Sequence, residues 1–177
     1  VLLHDVGNPP TFTPPAGPGD RIRVDPHAEV GARMAAEICR RFRFSNDDTE
    51  QIVALVAHHL RFKDVQRMRP ATLKRFVRMP GFAEHLELHR LDCLASHRML
   101  DNYEFVRDFL QSTPPEQVRP ARLISGEDLK QMGYPPGPRF REILRAVEDA
   151  QLEGQLDTRE AALEFVRRTF PADSPAQ

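Results

Sequence analysis

Histidine and aspartate are the residue types in this sequence best suited to chemistry. His4 and Asp5 stand side by side, where a short apolar run meets Gly7, Asn8 and two prolines. An imidazole nitrogen and a carboxylate oxygen at adjacent positions can bind one divalent ion. Taken alone, such a pair is ordinarily an incidental dipeptide at the end of a helix. It therefore needs partners elsewhere in the chain before it indicates a metal site.

Helical phase separates the adjacent histidines at positions 58 and 59. At about 100° per residue, His59 falls just outside the apolar stripe that begins at Ile52, and His58 falls nearly opposite its centre. We therefore expect His59 to point toward the core margin and His58 to face solvent. His27 follows Pro26 at a predicted helix N-terminus, where a surface residue of the first turn is the ordinary interpretation.

Asp92 lies between Leu91 and Cys93, on the flank of the apolar face of a predicted helix. A carboxylate in that position needs a cation or hydrogen-bond donors. A rival arrangement exists, because His85, His89 and Asp92 share one helical stripe and could form a local metal site by themselves. The ordinary alternative for the two histidines is a partly exposed helix surface.

These residues must be positioned by helices, since strand-like alternation is rare in the chain. The 177 residues are 40% hydrophobic and 29% charged, with no tryptophan and only two tyrosines. This composition favours an all-α protein. No apolar run approaches the ~20 residues of a membrane span, so no membrane partner is expected. The two cysteines fall on helical patterns, which favours buried reduced thiols and a cytoplasmic location.

Prolines and helix-capping residues indicate where helices begin and where the chain is divided into domains. Prolines exclude a helix over 8–20. Asp25 and Ser45 are expected to cap two helices of the first part, and Ser125 and Asp128 have capping-box spacing in the second. The predicted organisation is a domain over 1–111, a linker over 112–122, a small helical module over 123–170 and a disordered tail over 171–177.

The net charge of −1 predicts no partner, but residues 61–78 hold seven basic residues against Asp64 alone. Such a run is ordinarily a solvated face. The sharper interpretation is a surface that binds a phosphate-rich partner.

Taken in order, the motifs resemble the HD superfamily of metal-dependent phosphohydrolases. More closely, they resemble the HD domain carried C-terminally by some bacterial CCA-adding tRNA nucleotidyltransferases and poly(A)-polymerase-like relatives. The stretches that carry this likeness are "LLHDVGNPPTFT", "HAEVGARMA", "RFSNDDTEQIVALVAHH" and "LHRLDCLAS", followed by "LISGEDLKQMGYPPGPRFREILRAVEDAQLEGQLDTREAAL".

The resemblance implies an all-α fold, with an HD-type helical domain followed by a small C-terminal helical module. It implies catalytic roles for Asp5 and His27, and a substrate-phosphate role for Asn8, which stands where the family usually has lysine. The implied cofactor is a divalent ion, which could be Mg, Mn, Ni, Co, Fe or Zn. The implied metal ligands are His4, Asp5, His27, His59 and Asp92. The implied RNA-binding residues are Lys63, Arg67, Arg69, Lys74, Arg75, Arg139 and Arg141.

The implied function is a contribution to tRNA 3′-end (CCA) maturation. It would comprise tRNA binding and metal-dependent hydrolysis of a 2′,3′-cyclic phosphate or nucleotide phosphate ester. The alternatives are a stand-alone HD phosphohydrolase and a degenerate, non-catalytic HD scaffold. The family has a further histidine ligand before the HD pair and an N-terminal nucleotidyltransferase head. Neither is found in this sequence, so we expect an N-terminally truncated HD domain whose partner is the missing head.

Overall fold

The computed structural model describes residues 2–20 and 22–171. Within them the chain forms ten α-helices and one 3-10 helix, with no strand beyond an isolated bridge between Thr13 and Arg23. The predicted all-α class is confirmed. None of the helices in these two ranges combines the length and the apolar character needed to cross a membrane. The helices are α1 (Asn8–Thr11), α2 (His27–Arg41), α3 (Asn46–His58), the 3-10 helix (His59–Arg67), α4 (Pro70–Val77), α5 (Phe82–Ala95), α6 (Asp101–Ser112), α7 (Pro115–Val118), α8 (Gly126–Gln131), α9 (Pro138–Leu152) and α10 (Arg159–Thr169).

The helices group into two compact units. The first unit comprises Val1–Arg67 and Met79–Phe109, and the second comprises Met68–Arg78 and Leu110–Gln177. Helix α4 therefore belongs with the C-terminal helices, and the segment expected to be a linker contains α7. The division at residues 111 and 112 stays a prediction. The tail predicted as disordered lies outside the described residues beyond Pro171.

Helices α2 and α3 form the frame of the first unit. Small residues on the buried face of α2, among them Gly31, Ala35 and Cys39, allow close packing. The Ser45 hydroxyl accepts a hydrogen bond from the Asp48 backbone N–H at 3.1 Å, so the predicted cap of α3 is confirmed. At the start of α2 the N-cap position is Pro26, one residue after the expected Asp25, and no side chain caps the helix.

The expectation that no helix forms over residues 8–20 is wrong for the first four of them. Pro9 and Pro10 lie in the first turn of α1, where a missing N–H costs little because the N–H groups of a first turn have no carbonyl partner inside the helix. The Thr11 hydroxyl lies 2.8 Å from the Gly7 carbonyl and 2.9 Å from the Val24 carbonyl. Backbone hydrogen bonds in both directions between Thr13 and Arg23 close the loop that follows.

The second unit has its own apolar core, supplied mainly by α9 and α10. Ile143 and Val147 are buried on α9, as its apolar spacing predicts. The capping box at Ser125 is also confirmed. The backbone N–H and hydroxyl of Ser125, followed by Arg159, lower the pKa of Asp128 to about 2. The core residues are Ile124, Leu129, Tyr134, Ile143, Val147, Ala150, Leu156, Ala162 and Val166.

Candidate functional site

Three of the predicted ligands, Asp5, His27 and His59, converge in the first unit. The Nε2 atoms of the two histidines lie 3.2 Å apart. Asp5 Oδ1 lies 3.6 Å from the His27 Nε2 and 3.7 Å from the His59 Nε2. Both imidazoles are buried, with 7% and 6% of their surface exposed, whereas the Asp5 side chain is 49% exposed. The group is therefore closed on the imidazole side and open on the carboxylate side.

Backbone carbonyls orient both imidazoles. Nδ1 of His27 lies 3.1 Å from the Val24 carbonyl, and Nδ1 of His59 lies 2.7 Å from the Val56 carbonyl. A carbonyl only accepts, so each Nδ1 is the donor and each neutral ring keeps a lone pair on Nε2. Metal-bound histidines are typically oriented by this kind of contact. Two facing lone pairs favour a cation between them.

Burial is the largest influence on the pKa of His59, and it lowers that pKa below the usual value of 6.5. The Val56 carbonyl and the Asp5 carboxylate act in the opposite direction, while His27 and His4 add to the lowering. The neutral, metal-binding form of the ring is therefore favoured at neutral pH. A neutral imidazole binds a metal without first losing a proton.

The three side chains fit a divalent ion. A point equidistant from the two Nε2 atoms and Asp5 Oδ1 lies about 2 Å from each, the usual length of a bond from a transition metal to nitrogen or oxygen. Two imidazoles and one carboxylate suit Zn, Fe, Ni, Co or Mn better than they suit Mg, which prefers oxygen. The chemistry of the donor set therefore matches the predicted cofactor class.

The remaining predicted ligands, His4 and Asp92, lie beside this group. His4 Nε2 lies 3.3 Å from Asp92 Oδ1 and 3.5 Å from the second carboxylate oxygen of Asp5. The His4 ring also meets the His59 ring edge to face, at 5.5 Å between centroids. The structure thus brings all five predicted residues into one region, and His4 connects the two carboxylates.

Gly7 sets the approach of the Asp5 segment to helix α2, a role that the sequence analysis missed. A Cβ at position 7 would lie 2.1 Å from the His27 carbonyl oxygen and 2.7 Å from the Gly31 backbone nitrogen. Real Cβ atoms essentially never come so close to backbone, so only glycine fits here. The signal in the sequence was a glycine two residues after the first aspartate.

Asn8, predicted to bind substrate phosphate, opens helix α1. Its backbone N–H donates to the Asp5 carbonyl at 3.0 Å, so both residues belong to one turn. Its side-chain oxygen is buried and has no hydrogen-bond partner in the described part of the chain. The phosphate-binding role of Asn8 stays a prediction.

The rival cluster on α5 is not assembled. Within residues 2–20 and 22–171, the one group that meets the geometry of a metal site is Asp5, His27 and His59. His85 is only 1% exposed, and neither ring nitrogen has a hydrogen-bond partner there. His89 stacks on Phe62 with ring centroids 4.4 Å apart. His58, expected to face solvent, is half-buried, because its ring lies 6.2 Å from that of His85.

The predicted RNA-binding residues fall into two classes. Four of the seven have partners inside the second unit. Arg69 lies 3.7 Å from Glu153, and the Lys74 ammonium donates to the Leu152 carbonyl at 2.8 Å. The other two of the four are Arg75, which donates to Glu148 and Asp149, and Arg139, which donates to the Pro171 carbonyl.

The other three residues remain available to a ligand. Lys63 and Arg67 are exposed on the 3-10 helix of the first unit, and Arg141 is exposed on α9 of the second. The nearby side chains described here form no ion pair with any of them. Their charge is uncompensated, which is the condition that an RNA phosphate would require.

Comparison with known proteins agrees with the resemblance stated above. The family model described as "tRNA nucleotidyltransferase domain 2 putative" matches residues 27–166. The chain is 33% identical to the CC-adding tRNA nucleotidyltransferase of Thermus thermophilus and 32% identical to the A-adding tRNA nucleotidyltransferase of Deinococcus radiodurans. These alignments cover 94% and 95% of this chain, but only 38% and 40% of the two relatives.

A shorter alignment links the chain to a bifunctional uridylyltransferase/uridylyl-removing enzyme of Bradyrhizobium sp. It has 29% identity over half of this chain and 8% of that enzyme. No solved structure is significantly similar to the chain. The chain spans about two fifths of the length of the two curated relatives that it matches almost end to end. Because the family model matches more than half of its residues, the chain belongs to the tRNA nucleotidyltransferase domain 2 family.

Proposed function

We propose that this chain is part of a tRNA nucleotidyltransferase that acts in tRNA 3′-end maturation, and that its first unit holds a divalent metal centre that hydrolyses phosphate esters. The observation that carries the metal centre is the convergence of Asp5, His27 and His59 with both Nδ1 atoms bonded to carbonyls. The family match and the two tRNA nucleotidyltransferase relatives support the role in tRNA maturation. Nucleotide addition itself is assigned to the part of those relatives that this chain does not span.

Asp5, His27 and His59 would hold the ion, with His4 and Asp92 completing the site. When bound, a divalent ion supplies Lewis-acid stabilisation of a phosphoryl oxygen and a water of lowered pKa. Asp5, one of the two proposed catalytic residues, faces the open side where a phosphate ester can approach. His27, the other, presents Nε2 from the buried side. His4 lies between the Asp5 and Asp92 carboxylates and so links the two acidic residues of the proposed site.

The test uses the full chain and an Asp5→Ala variant. Each protein is loaded separately with Mn²⁺, Ni²⁺ or Zn²⁺, and bound metal is measured by mass spectrometry. Turnover is measured with a 2′,3′-cyclic nucleotide and with a phosphate monoester. We expect Asp5→Ala to lose metal and turnover together, by more than about 100-fold. The control is Asp64→Ala, an exposed carboxylate on the 3-10 helix of the same unit.

Three outcomes separate the alternatives. Unchanged metal-dependent turnover in Asp5→Ala would overturn the assigned centre. If the unsubstituted chain binds metal but turns over neither substrate, the non-catalytic scaffold is favoured. The asparagine at position 8, where the family usually has lysine, also favours that alternative. Turnover without any affinity for tRNA would favour a stand-alone phosphohydrolase.

Binding of tRNA is proposed for the exposed cations Lys63, Arg67 and Arg141. Charge reversal of Lys63 and Arg67 together should weaken binding of an unmodified tRNA transcript several-fold, and the loss should shrink as salt rises. Arg33→Glu serves as the control, because Arg33 is exposed on α2 and outside the predicted set. Equal losses in the variant and the control would contradict the assignment.

A further inference from the structure

The second unit contains an open cavity of about 690 Å³, and one residue of its wall, Arg141, is among the cations proposed above to bind tRNA. Its wall is formed by α9 from Pro138 to Gln151, by the segment 122–124, by Gly137 and by Arg75 of α4. Four arginines and a single carboxylate line it. The volume lies within the range of about 300–1,000 Å³ typical of sites for small ligands.

The one carboxylate of the wall, Glu148, is already neutralised. It accepts hydrogen bonds from Arg75, at 2.7 Å, and from Arg78. Burial of Glu148 acts to raise its pKa, but the two arginines together bring that pKa below its usual value, so the group is ionised and paired. Arg75 is also bonded to Asp149, so neither it nor Glu148 needs a ligand.

The other three arginines of the wall, Arg122, Arg141 and Arg145, are uncompensated. All three are exposed, and none forms an ion pair with a residue of the described ranges. Arg141 and Arg145 are four residues apart on α9 and so share one face of it. The first turn of α9 contains no acidic residue. The cavity therefore presents an excess of positive charge, and its one carboxylate, Glu148, is already paired with arginines.

Apart from Gln151, the rest of the lining is apolar and includes one aromatic ring. Leu123, Phe140, Leu144 and Val147 contribute to it. Inorganic phosphate would satisfy the guanidinium groups but would leave this apolar surface uncovered. A ligand that has both an anionic group and a flat apolar body covers both parts. A nucleotide has these two parts, since every base has a π-face that can stack on an aromatic side chain.

We propose that this cavity binds one phosphate-bearing nucleotide, with the phosphate on Arg122, Arg141 and Arg145 and the base against Phe140. The nucleotide can be free or a residue of an RNA strand. That the nucleotide belongs to an RNA strand depends on the tRNA binding proposed above. That the cavity binds a nucleotide at all does not depend on it. Planar guanidinium groups bind phosphate through paired hydrogen bonds, which accounts for arginine at these positions rather than lysine.

The test measures binding of 5′-AMP and of inorganic phosphate to the full chain by calorimetry. The Asp5→Ala background and a chelator are used, so that the first-unit centre cannot contribute. We expect 5′-AMP to bind with a 1:1 stoichiometry and about tenfold more tightly than phosphate, because only AMP gains base stacking. Arg141→Gln and Arg145→Gln should each weaken AMP binding about tenfold. Arg168→Gln, an exposed arginine on α10 outside the wall, should change it by less than about twofold.

Phe140→Leu tests the base. It should lower AMP affinity to that of phosphate while leaving phosphate binding intact. If melting shows that Phe140→Leu is unfolded, Arg122→Gln in the exposed segment before α8 gives a second variant. A 5′-phosphorylated single-stranded trinucleotide that binds more tightly than AMP indicates RNA as the source, and equal affinity indicates a free nucleotide.

Three results would overturn the proposal. AMP and phosphate could bind equally well, Arg168→Gln could lose as much affinity as Arg141→Gln, or a triglutamate peptide could match AMP. Because the background lacks the first-unit metal centre, none of these results bears on the proposed hydrolysis. Failure of the metal and turnover tests would likewise leave the nucleotide measurement unaffected.

Discussion

The histidine group of the first unit and the arginine cavity of the second are electrostatic opposites built by different means. In the first, two imidazoles are buried, and the backbone carbonyls of Val24 and Val56 orient them so that their Nε2 atoms face each other. In the second, exposed guanidinium groups stand over an apolar surface. Backbone contacts orient both imidazoles of the first site. The second relies on uncompensated charge, which tolerates looser geometry.

Histidine itself is divided in the same way. All seven histidines of the chain belong to the first unit, and the second unit has none. Proton concentration should therefore act on the first unit at mildly acidic pH, while salt should act mainly on the cavity of the second. A substitution or a change of solvent that alters binding and stability equally in both units would contradict this contrast.

The largest expected effect follows from Gly7→Ala. A Cβ at this position collides with the backbone at His27 and Gly31, so Asp5 and His27 must move apart. We expect metal affinity to fall about 100-fold and the free energy of unfolding to fall by about 2 kcal/mol, measured by metal titration and denaturant unfolding. Gly17→Ala is the matched control, because no atom lies within 4 Å of a Cβ there. Retained metal affinity in Gly7→Ala would show that the close approach does not position the site.

Acid should destabilise the first unit selectively in the presence of a chelator. Burial is the first cause that lowers the pKa of His58, His59, His85 and His89 below 6.5. The unfolded chain then binds more protons than the folded chain, so stability is lost as pH falls below about 6.5. Hydrogen exchange at pH 7 and pH 5.5, corrected for intrinsic rates, should show lost protection in α3 and α5.

Helices α8 to α10 provide the internal control for that measurement. They contain no histidine, and Asp128 beside Arg159 has a pKa of about 2, so its stabilising contribution disappears only between pH 3.8 and about 2. Equal loss of protection in α5 and α9 at pH 5.5 would show that burial of the imidazoles does not govern the response.

Salt should produce a smaller effect, in the second unit. Raising NaCl from about 50 to about 500 mM should weaken binding of AMP about tenfold, because the arginines are exposed and their charges are screened. The affinity of the first unit for a transition metal should change much less, since its bonds form to buried nitrogens. The two titrations can be made on the same preparation. A metal affinity that falls in parallel with that of AMP would abolish the contrast.

The smallest expected effect is a gain. Glu148→Gln removes the one negative charge of the cavity wall and breaks the ion pairs with Arg75 and Arg78, so AMP affinity should rise about threefold while the melting temperature falls. Glu142→Gln removes the same charge from the exposed side of α9, outside the cavity wall, and should give a smaller gain. General damage to the fold rarely tightens binding. A gain in AMP affinity that is confined to Glu148→Gln would therefore show that AMP binds at the cavity wall.

Local patterns predicted the all-α class, the caps at Ser45 and Ser125 and the burial of His59. They succeeded because caps and helical phase depend on residues within a few positions of one another. Ion pairs between residues far apart in the sequence could not be predicted from local patterns. One example is the pair of Arg75 and Glu148, which are 73 positions apart. The partners that four predicted RNA-binding cations have inside the second unit were therefore not foreseen, and the RNA-binding role of these cations stays a prediction.

The candidate site shows the same division between features that local patterns predict and features that depend on contacts distant in sequence. Residue type and order indicated the five side chains of the candidate site, with the family resemblance supplying their grouping; they are His4, Asp5, His27, His59 and Asp92. The role of Gly7 depends on a backbone contact with α2, which no spacing rule contains. Arg122 and Arg145 were missed because the cavity that joins them is formed by tertiary packing. The signal that was present was the four-residue spacing of Arg141 and Arg145.

The loop between α1 and α2 is a suitable position for a reporter group that leaves the Asp5 and His27 side chains unchanged. Its two ends are fastened to each other by Thr11 and by the paired backbone bonds of Thr13 and Arg23. A fluorescent tag or a short insertion at the exposed tip near Gly17 would lengthen a closed loop, and the entropic cost of lengthening grows only slowly. Because the base is fastened, a reporter at the tip should leave Asp5 and His27, and with them the proposed metal centre, undisturbed.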